Sequence, residues 1–165
     1  MGRLVSLEDA IRERERLRSQ GKVIVFTNGC FDLLHRGHVD YLQRAREMGD
    51  ALFVGLNSDS SVRALKGEGR PIVSQDDRAA VLASLAAVDL VIIFAESTPA
   101  LLIDALRPDI LVKGGDYRID QVVGRETVEA SNGKVVIIDL IEGYSTRELI
   151  KRIVQRYRRG QFSGG

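Results

Sequence analysis

The segment from residue 23 to residue 38 reads VIVFTNGCFDLLHRGH, and a change of pattern inside it decides the fold. Its first four residues form an unbroken β-branched and aromatic run, which is typical of a strand buried on both faces of a parallel sheet. The polar, glycine-containing part that follows predicts a loop, and a helical pattern continues over 39–48 until Gly49 ends it. Strand, loop and helix in this order indicate one unit of a parallel α/β sheet.

The same alternation continues on both sides of this segment. Further strands are predicted at 51–56, 90–94, 110–112 and 134–138, and helices at 7–17, 76–87, 99–106 and 146–157. Ser6, Thr98 and Ser145 are the predicted N-caps of three of these helices. The order predicts an α/β fold of three layers, a doubly wound, Rossmann-like parallel sheet with helices on both faces.

Composition limits the class of protein. A chain of 165 residues fits one domain, predicted over 1–160, with a flexible tail at 161–165. The 24 basic and 23 acidic residues give no overall field that would attract nucleic acid or a membrane, and the basic residues near the end are interpreted as a solvated helix face. The single cysteine and the absence of a long apolar run predict a cytoplasmic protein without disulfides.

Both histidines of the chain lie in the loop after the first long strand. His35 and His38 are three residues apart at the start of a helix, so they are predicted on one helical face beyond the strand ends. The N–H groups and partial positive charge of a helix start favour a phosphate there, and Gly37 permits close approach to the backbone. Half of a metal site and two unrelated surface histidines are the alternatives.

Cationic residues also follow the second strand. Lys66 and Arg70 belong to the glycine-containing segment LKGEGRP at 65–71, which is predicted to be a loop. Arg78 lies near the start of the next helix, where it could instead pair with a neighbouring carboxylate. A solvated loop lysine is the alternative for Lys66.

Two later segments also combine glycine with polar or charged residues. KGGDY at 113–117 follows the fourth strand, and its free backbone N–H groups could bind a phosphate while Asp116 accepts hydrogen bonds from a sugar. GYST at 143–146 opens the last helix. A Gly-Gly turn and an ordinary N-cap are the structural alternatives for these two segments.

The string GCFDLLHRGH at 29–38 resembles the GxFDxxHxGH signature of the cytidylyltransferase-like nucleotidyltransferases. The resemblance covers nearly the whole chain, since the following motifs occur in the order and spacing of one branch of that family: GLNSD at 55–59, KG at 66–67, RP at 70–71, DR at 77–78, KGGDY at 113–117 and GYST at 143–146. That branch consists of the adenylyltransferases of ADP-heptose synthesis, which are found fused to a heptose kinase. The length of this chain predicts a free-standing transferase.

The resemblance implies a role for each matching residue. His35, His38 and Lys66 would be catalytic groups at the reacting phosphates. Nucleotide binding is implied for Asn28, Gly29, Cys30, Phe31, Gly37, Lys113, Gly114, Asp116, Tyr144, Ser145 and Thr146. Binding of the acceptor substrate is expected of Asn57, Asp59, Arg70 and Arg78.

The reaction that the resemblance implies is transfer of AMP from ATP to D-glycero-β-D-manno-heptose 1-phosphate, which gives ADP-heptose and pyrophosphate. Such a transfer implies Mg²⁺ on the ATP, with no dedicated metal ligands expected on the protein. A role of Asp116 in holding the metal is the alternative. The family makes a homodimer an expectation. Two alternatives stay open: a cytidylyltransferase acting on glycerol 3-phosphate or a related acceptor, and a nucleotide-binding regulatory protein without catalysis.

Overall fold

The computed structural model describes residues 1–115 and 117–159, and at its centre is a six-stranded, all-parallel sheet. The strands run in the spatial order β1-β4-β3-β2-β5-β6. Their bounds are β1 (Arg3–Leu4), β2 (Ile24–Gly29), β3 (Ala51–Asn57), β4 (Leu90–Phe94), β5 (Ile110–Gly114) and β6 (Lys134–Ile138). The predicted doubly wound α/β fold is confirmed. Asp116 and the predicted tail at 161–165 lie outside the described residues.

Seven α-helices and one short 3₁₀ turn (Ile119–Gln121) connect the strands of the described chain. Four of the helices begin at a serine whose side-chain oxygen accepts a hydrogen bond from the backbone N–H three residues later. The helices are α1 (Leu7–Ser19), α2 (Arg36–Arg46), α3 (Asp59–Lys66), α4 (Gln75–Ala83), α5 (Ala100–Leu106), α6 (Arg125–Ala130) and α7 (Thr146–Arg158). Within the described residues, no helix has the length and apolar character that crossing a bilayer requires.

The core lies on both faces of the central strands, as the unbroken apolar runs predict. Along β2, Val25 joins the cluster on one face of the sheet, while Ile24 and Phe26 join the cluster on the other. All three side chains are fully buried, because helices cover both faces. The central sheet is therefore a rigid base for the loops at its carboxyl edge.

Several elements differ from the sequence prediction. β1, α3 and α6 were not predicted, since they have two, eight and six residues and are too short to show a periodic pattern. The helix predicted over 76–87 ends at Ala83, and α5 has Pro99 rather than Thr98 as its N-cap. Lys66, predicted in a loop, is the last residue of α3.

The strand order places a crevice between β2 and β5. From β2 the chain builds β3 and β4 on one side and β5 and β6 on the other, and the carboxyl edge at such a reversal is where open α/β sheets bind ligands. β2 pairs with β3 along its whole length, but its pairing with β5 stops at Phe26 and Leu111. The carboxyl ends of β2 and β5 thus form the floor of the candidate site.

Candidate active site

The two histidines stack on each other at the start of α2. Their ring centroids are 3.8 Å apart and their planes differ by 18°. His35 is the N-cap of α2, and its Nδ1 accepts a hydrogen bond of 3.4 Å from the backbone N–H of His38. The predicted shared face is confirmed, and both imidazoles lie at the helix end that favours an anion.

Both imidazoles are neutral at physiological pH. Burial lowers the pKa of His35, while burial and the neighbouring His35 together lower the pKa of His38 to about 4. Because Nδ1 of His35 is an acceptor, its proton sits on Nε2. Nδ1 of His38 is buried without a hydrogen-bond partner among the described residues, which also favours a proton on Nε2. The pair therefore offers two Nε2–H donors.

This low pKa makes the stability of the chain depend on pH. Protonating His38 is harder in the folded chain than in the unfolded chain, so the free energy of unfolding falls as the pH drops from about 6.5 towards 4. Between about pH 7.5 and pH 5, we expect the wild type to lose about 2 kcal/mol more than His38→Gln, which lacks this group. Urea denaturation at both pH values measures the difference, and equal losses would contradict the assigned environment.

Phe31 fixes the loop in front of the histidines. Its backbone has a φ of 43°, a left-handed conformation that a bulky residue rarely adopts, and its ring is buried. The ring forms a T-shaped pair with the ring of His38 at a centroid distance of 5.3 Å. It also lies against Gly29, where an added Cβ would be 3.0 Å from it. The backbone of Gly29 and the ring of His38 are thus held together.

The start of α7 comes to the same place. The ring of Tyr144 is 6.4 Å from the ring of His35, and a Cβ added at Gly37 would lie 3.0 Å from Cβ of Tyr144. Gly37 is therefore needed for close contact with Tyr144, besides its predicted role towards a ligand. Ser145 caps α7 by accepting from the N–H of Glu148, and Thr146 follows it as the first helical residue.

Lys113 spans the crevice between β5 and β2. Its ammonium group donates to Oδ1 of Asn28 and lies 5.5 Å from the centre of the Tyr117 ring. The side chain is largely buried, and Gly114 follows as the last residue of β5. A positive charge therefore occupies the point where the topology predicts a ligand, on the opposite side of β2 from β3.

The remaining predicted residues lie on the β3 side of the loop. Lys66 is exposed, and its positive charge acts on the thiol of Cys30, whose pKa is raised by burial. Asn57 is buried and donates to Oγ of Ser61. Arg78, predicted to bind a phosphate, has no exposed side-chain surface and donates to Asp59 at 2.7 Å.

Asp32 is a residue of the site to which sequence reasoning gave no role. Its buried carboxylate accepts hydrogen bonds from Nε of Arg70 and from the backbone N–H groups of Ile72 and Val73. Burial alone would raise the pKa of Asp32, but the bonds from Val73, Ile72 and Arg70 lower it below its usual value. The sequence did contain a signal for this residue, because Asp32 belongs to the signature string at 29–38.

The hydrogen-bond donors and cations of this region have the chemistry that suits a polyphosphate ligand. The Nε2–H donors of His35 and His38 lie at the start of α2, and Lys113 lies in the crevice between β5 and β2. Lys66 and Arg70 lie on the β3 side of the loop that joins β2 to α2. Among the described residues, no group of three or more His, Cys, Asp or Glu side chains is arranged to hold a metal ion. The arrangement favours orienting and stabilising phosphoryl groups rather than attack by a protein nucleophile.

The chain is similar to curated proteins over most of its length. The bifunctional protein HldE of Syntrophotalea carbinolica is 55% identical over 160 residues, which are 93% of this chain and 33% of that protein. The bifunctional protein HldE of Pseudomonas aeruginosa strain LESB58 is 54% identical over 153 residues, or 93% of this chain and 32% of that protein. This chain thus spans about a third of the length of these curated relatives.

Solved structures show the same architecture. The lipopolysaccharide core biosynthesis protein from Thermoplasma volcanium has a TM-score of 0.61 and 29% identity, over 76% of this chain and 100% of its own. Pantoate-β-alanine ligase from Francisella tularensis has a TM-score of 0.62 and covers 100% of this chain and 82% of its own, but at 16% identity it supports the fold alone. The family model described as cytidylyltransferase-like matches residues 26–152, from the middle of β2 into α7. By this match and by the stacked histidine pair of its signature, the chain belongs to the cytidylyltransferase-like family.

Proposed function

We propose that this chain is an adenylyltransferase, which transfers AMP from ATP to D-glycero-β-D-manno-heptose 1-phosphate and releases pyrophosphate. The observation that carries the proposal is the stacked His35–His38 pair beside the crevice that Lys113 spans. The similarity to bifunctional HldE proteins and to a lipopolysaccharide core biosynthesis protein supports the choice of a sugar phosphate as acceptor. The product would be ADP-heptose.

The proposed chemistry requires alignment and charge stabilisation. An oxygen of the sugar phosphate attacks the α-phosphorus of ATP, the bond from that phosphorus to the bridging oxygen breaks, and pyrophosphate leaves with the electron pair. The attacking phosphate is already ionised near neutral pH, so no general base is needed. In this proposal the Nε2–H groups of His35 and His38 donate to the phosphate oxygens on which charge develops.

The cations have separate tasks in the proposal. Lys113 binds the phosphates of ATP in the crevice, while Lys66 and Arg70 face the acceptor from the other side of the loop. Asn57, Asp59 and the segment 143–146 complete the two binding regions, as the resemblance predicts. With positive groups on both sides, two polyanions can approach each other at lower electrostatic cost.

A divalent metal belongs to the proposal as part of the ATP substrate. Mg²⁺ prefers phosphate oxygens, water and one or two carboxylates, and it supplies further neutralisation of the triphosphate when bound. Of the nearby carboxylates, Asp32 is fully engaged with Arg70 and backbone N–H groups, and Asp59 is paired with Arg78. These contacts fit a metal that arrives on the nucleotide better than one held by a cage of protein ligands.

Turnover with different nucleotides tests the proposal. Pyrophosphate release is measured with ATP, CTP, GTP and UTP, each with heptose 1-phosphate and each with glycerol 3-phosphate. We expect ATP with heptose 1-phosphate to exceed every other pair by at least about 100-fold in kcat/KM, a difference of about 3 kcal/mol.

The same measurement separates the alternatives. Turnover with CTP and glycerol 3-phosphate would replace the proposal by the cytidylyltransferase reaction. Tight ATP binding without release of pyrophosphate from any pair would favour a nucleotide-binding regulatory protein.

The proposed location is the cytoplasm, where ATP is available and where the single cysteine stays reduced.

A second copy of the chain is the proposed partner of α7. No residue of this helix is buried, and Ile153, Val154 and Tyr157 are exposed on it. Residues 146–159 carry six basic side chains and one acidic side chain, so the rest of a chain of net charge +1 is net negative and complements the helix. Light scattering should give a dimer for the wild type and a monomer for Ile153→Glu, and a monomeric wild type would contradict the pairing.

A further inference from the structure

The segment between α3 and α4, residues 67–74, is held against the histidine-bearing loop by two buried side chains. We call this segment the α3–α4 loop. The histidine-bearing loop is residues 30–35, between β2 and α2. Its Asp32 accepts hydrogen bonds from the N–H groups of Ile72 and Val73, each at 2.9 Å, and from Nε of Arg70. The Asp32 side chain has no exposed surface, whereas one fifth of the Arg70 side chain, 20%, is exposed. Asp32 therefore presents Arg70 without reaching a ligand itself.

Arg78 makes the opposite connection, from α4 back to the same two loops. Its Nη1 donates to the carbonyl of Cys30 at 2.5 Å, and its Nε donates to the carbonyl of Val73 at 3.0 Å. The third nitrogen, Nη2, donates to Asp59 at the start of α3. One guanidinium thus joins the ends of three segments, which its planar fork of donors allows and a lysine would not.

Asp32 and Arg78 both bind the backbone of Val73. Asp32 accepts a hydrogen bond from its N–H, and Arg78 donates one to its carbonyl. The histidine-bearing loop and the α3–α4 loop are therefore joined in both directions. Arg70 lies within the α3–α4 loop, and Lys66 is the last residue of α3 directly before it. Bonds that fix this loop therefore also limit where the two cations lie relative to the histidines.

We propose that Asp32 and Arg78 are positioning residues, a clamp that sets Arg70 and Lys66 against the His35–His38 pair. The proposal deepens the adenylyltransferase function proposed above and rests on it for its kinetic consequences. It gives Arg78 a role that acts through Cys30, Val73 and Asp59 instead of the predicted contact with a phosphate.

The single cysteine offers a readout that does not depend on activity. Cys30 lies inside the clamp, because Arg78 binds its carbonyl and its side chain is partly buried. We measure its rate of reaction with a small disulfide reagent, across pH so that access is separated from ionisation, in Asp32→Asn and Arg78→Lys. Asp109→Asn is the matched control, since Asp109 holds the N–H of Ile24 at the opposite end of β2.

Opening of the clamp should raise the rate at Cys30 at least 10-fold in both variants and leave the control within twofold of the wild type. Circular dichroism confirms that each variant is folded, and Arg78→Lys alone decides the outcome if Asp32→Asn does not fold. Wild-type rates in the folded variants would overturn the proposal.

Kinetics then test whether Asp32 acts through Arg70. Arg70→Ala is expected to lower kcat/KM for the phosphate acceptor at least 10-fold in the wild type, but less than twofold in the Asp32→Asn background, with KM for ATP changed less than threefold. Additive losses would show that Asp32 has only a structural role and would overturn the proposal. If the wild type does not use heptose 1-phosphate, the proposed function fails, while the rates at Cys30 still decide the clamp.

Discussion

Replacing His38 by alanine is expected to lower kcat by about 100- to 1000-fold, while the Kd for ATP changes much less. The stacked imidazoles hold their Nε2–H groups at the amino end of α2, where charge would develop on the phosphate oxygens as pyrophosphate leaves. Donors that meet the transition state more strongly than the ground state affect kcat more than binding. Removing one of them should therefore leave a protein that binds ATP and turns it over slowly.

The experiment compares single-turnover rates and ATP binding in the wild type, His38→Ala and Gln43→Ala. Gln43 is an exposed residue of the same helix and controls for a general loss of α2. Unchanged turnover in His38→Ala would remove the histidine pair from the mechanism. A loss of affinity as large as the loss of kcat would make His38 a simple binding residue.

Replacing Lys113 by methionine should have the second largest effect, a loss of about 10- to 100-fold in kcat/KM for ATP. Methionine keeps much of the length of the side chain but removes the ammonium group that joins β5 to Asn28 on β2. A charge-assisted hydrogen bond to a phosphate contributes about 1.5–3 kcal/mol, which corresponds to this loss. The charge stands at the crevice where strand order reverses, so nucleotide binding should weaken.

Lys134→Met is the matched control for this substitution. Lys134 is an exposed residue at the amino end of β6, paired in register with Ile110. It therefore lies at the amino ends of the strands, away from the carboxyl ends where Lys113 lies. Its replacement should leave kcat/KM unchanged. If both variants behaved like the wild type, the crevice between β2 and β5 would not hold the phosphates of ATP.

The sequence predicts the sheet well because its strands are continuous apolar runs buried on both faces. The run at 23–26 and the strand at 90–94 needed only local pattern and length to be recognised. β1 was missed because two exposed residues carry no such pattern, and its pairing with β4 is visible only in three dimensions. Local sequence pattern therefore predicts strands that are buried on both faces and misses a short strand at the edge of the sheet.

The candidate site was predictable to a similar degree. The spacing of His35 and His38 predicts their shared face, because helical geometry fixes which side chains are neighbours. The role of Asp32 could not be found in this way, since it depends on bonds to Ile72 and Val73, which lie 40 and 41 residues further along the chain. The bonds of Arg78 to Cys30 and Asp59 join residues 48 and 19 positions apart, whereas its place near the start of a helix suggests only local pairs.

The structure of the chain with ATP and heptose 1-phosphate bound tests the central claim most directly. We expect the α-phosphate within hydrogen-bond reach of Nε2 of His35 and His38, the triphosphate over the crevice at Lys113, and the acceptor phosphate opposite the leaving pyrophosphate, on the side of Arg70. A triphosphate bound away from the carboxyl ends of β2 and β5, or an acceptor that cannot approach the α-phosphorus in line, would contradict it.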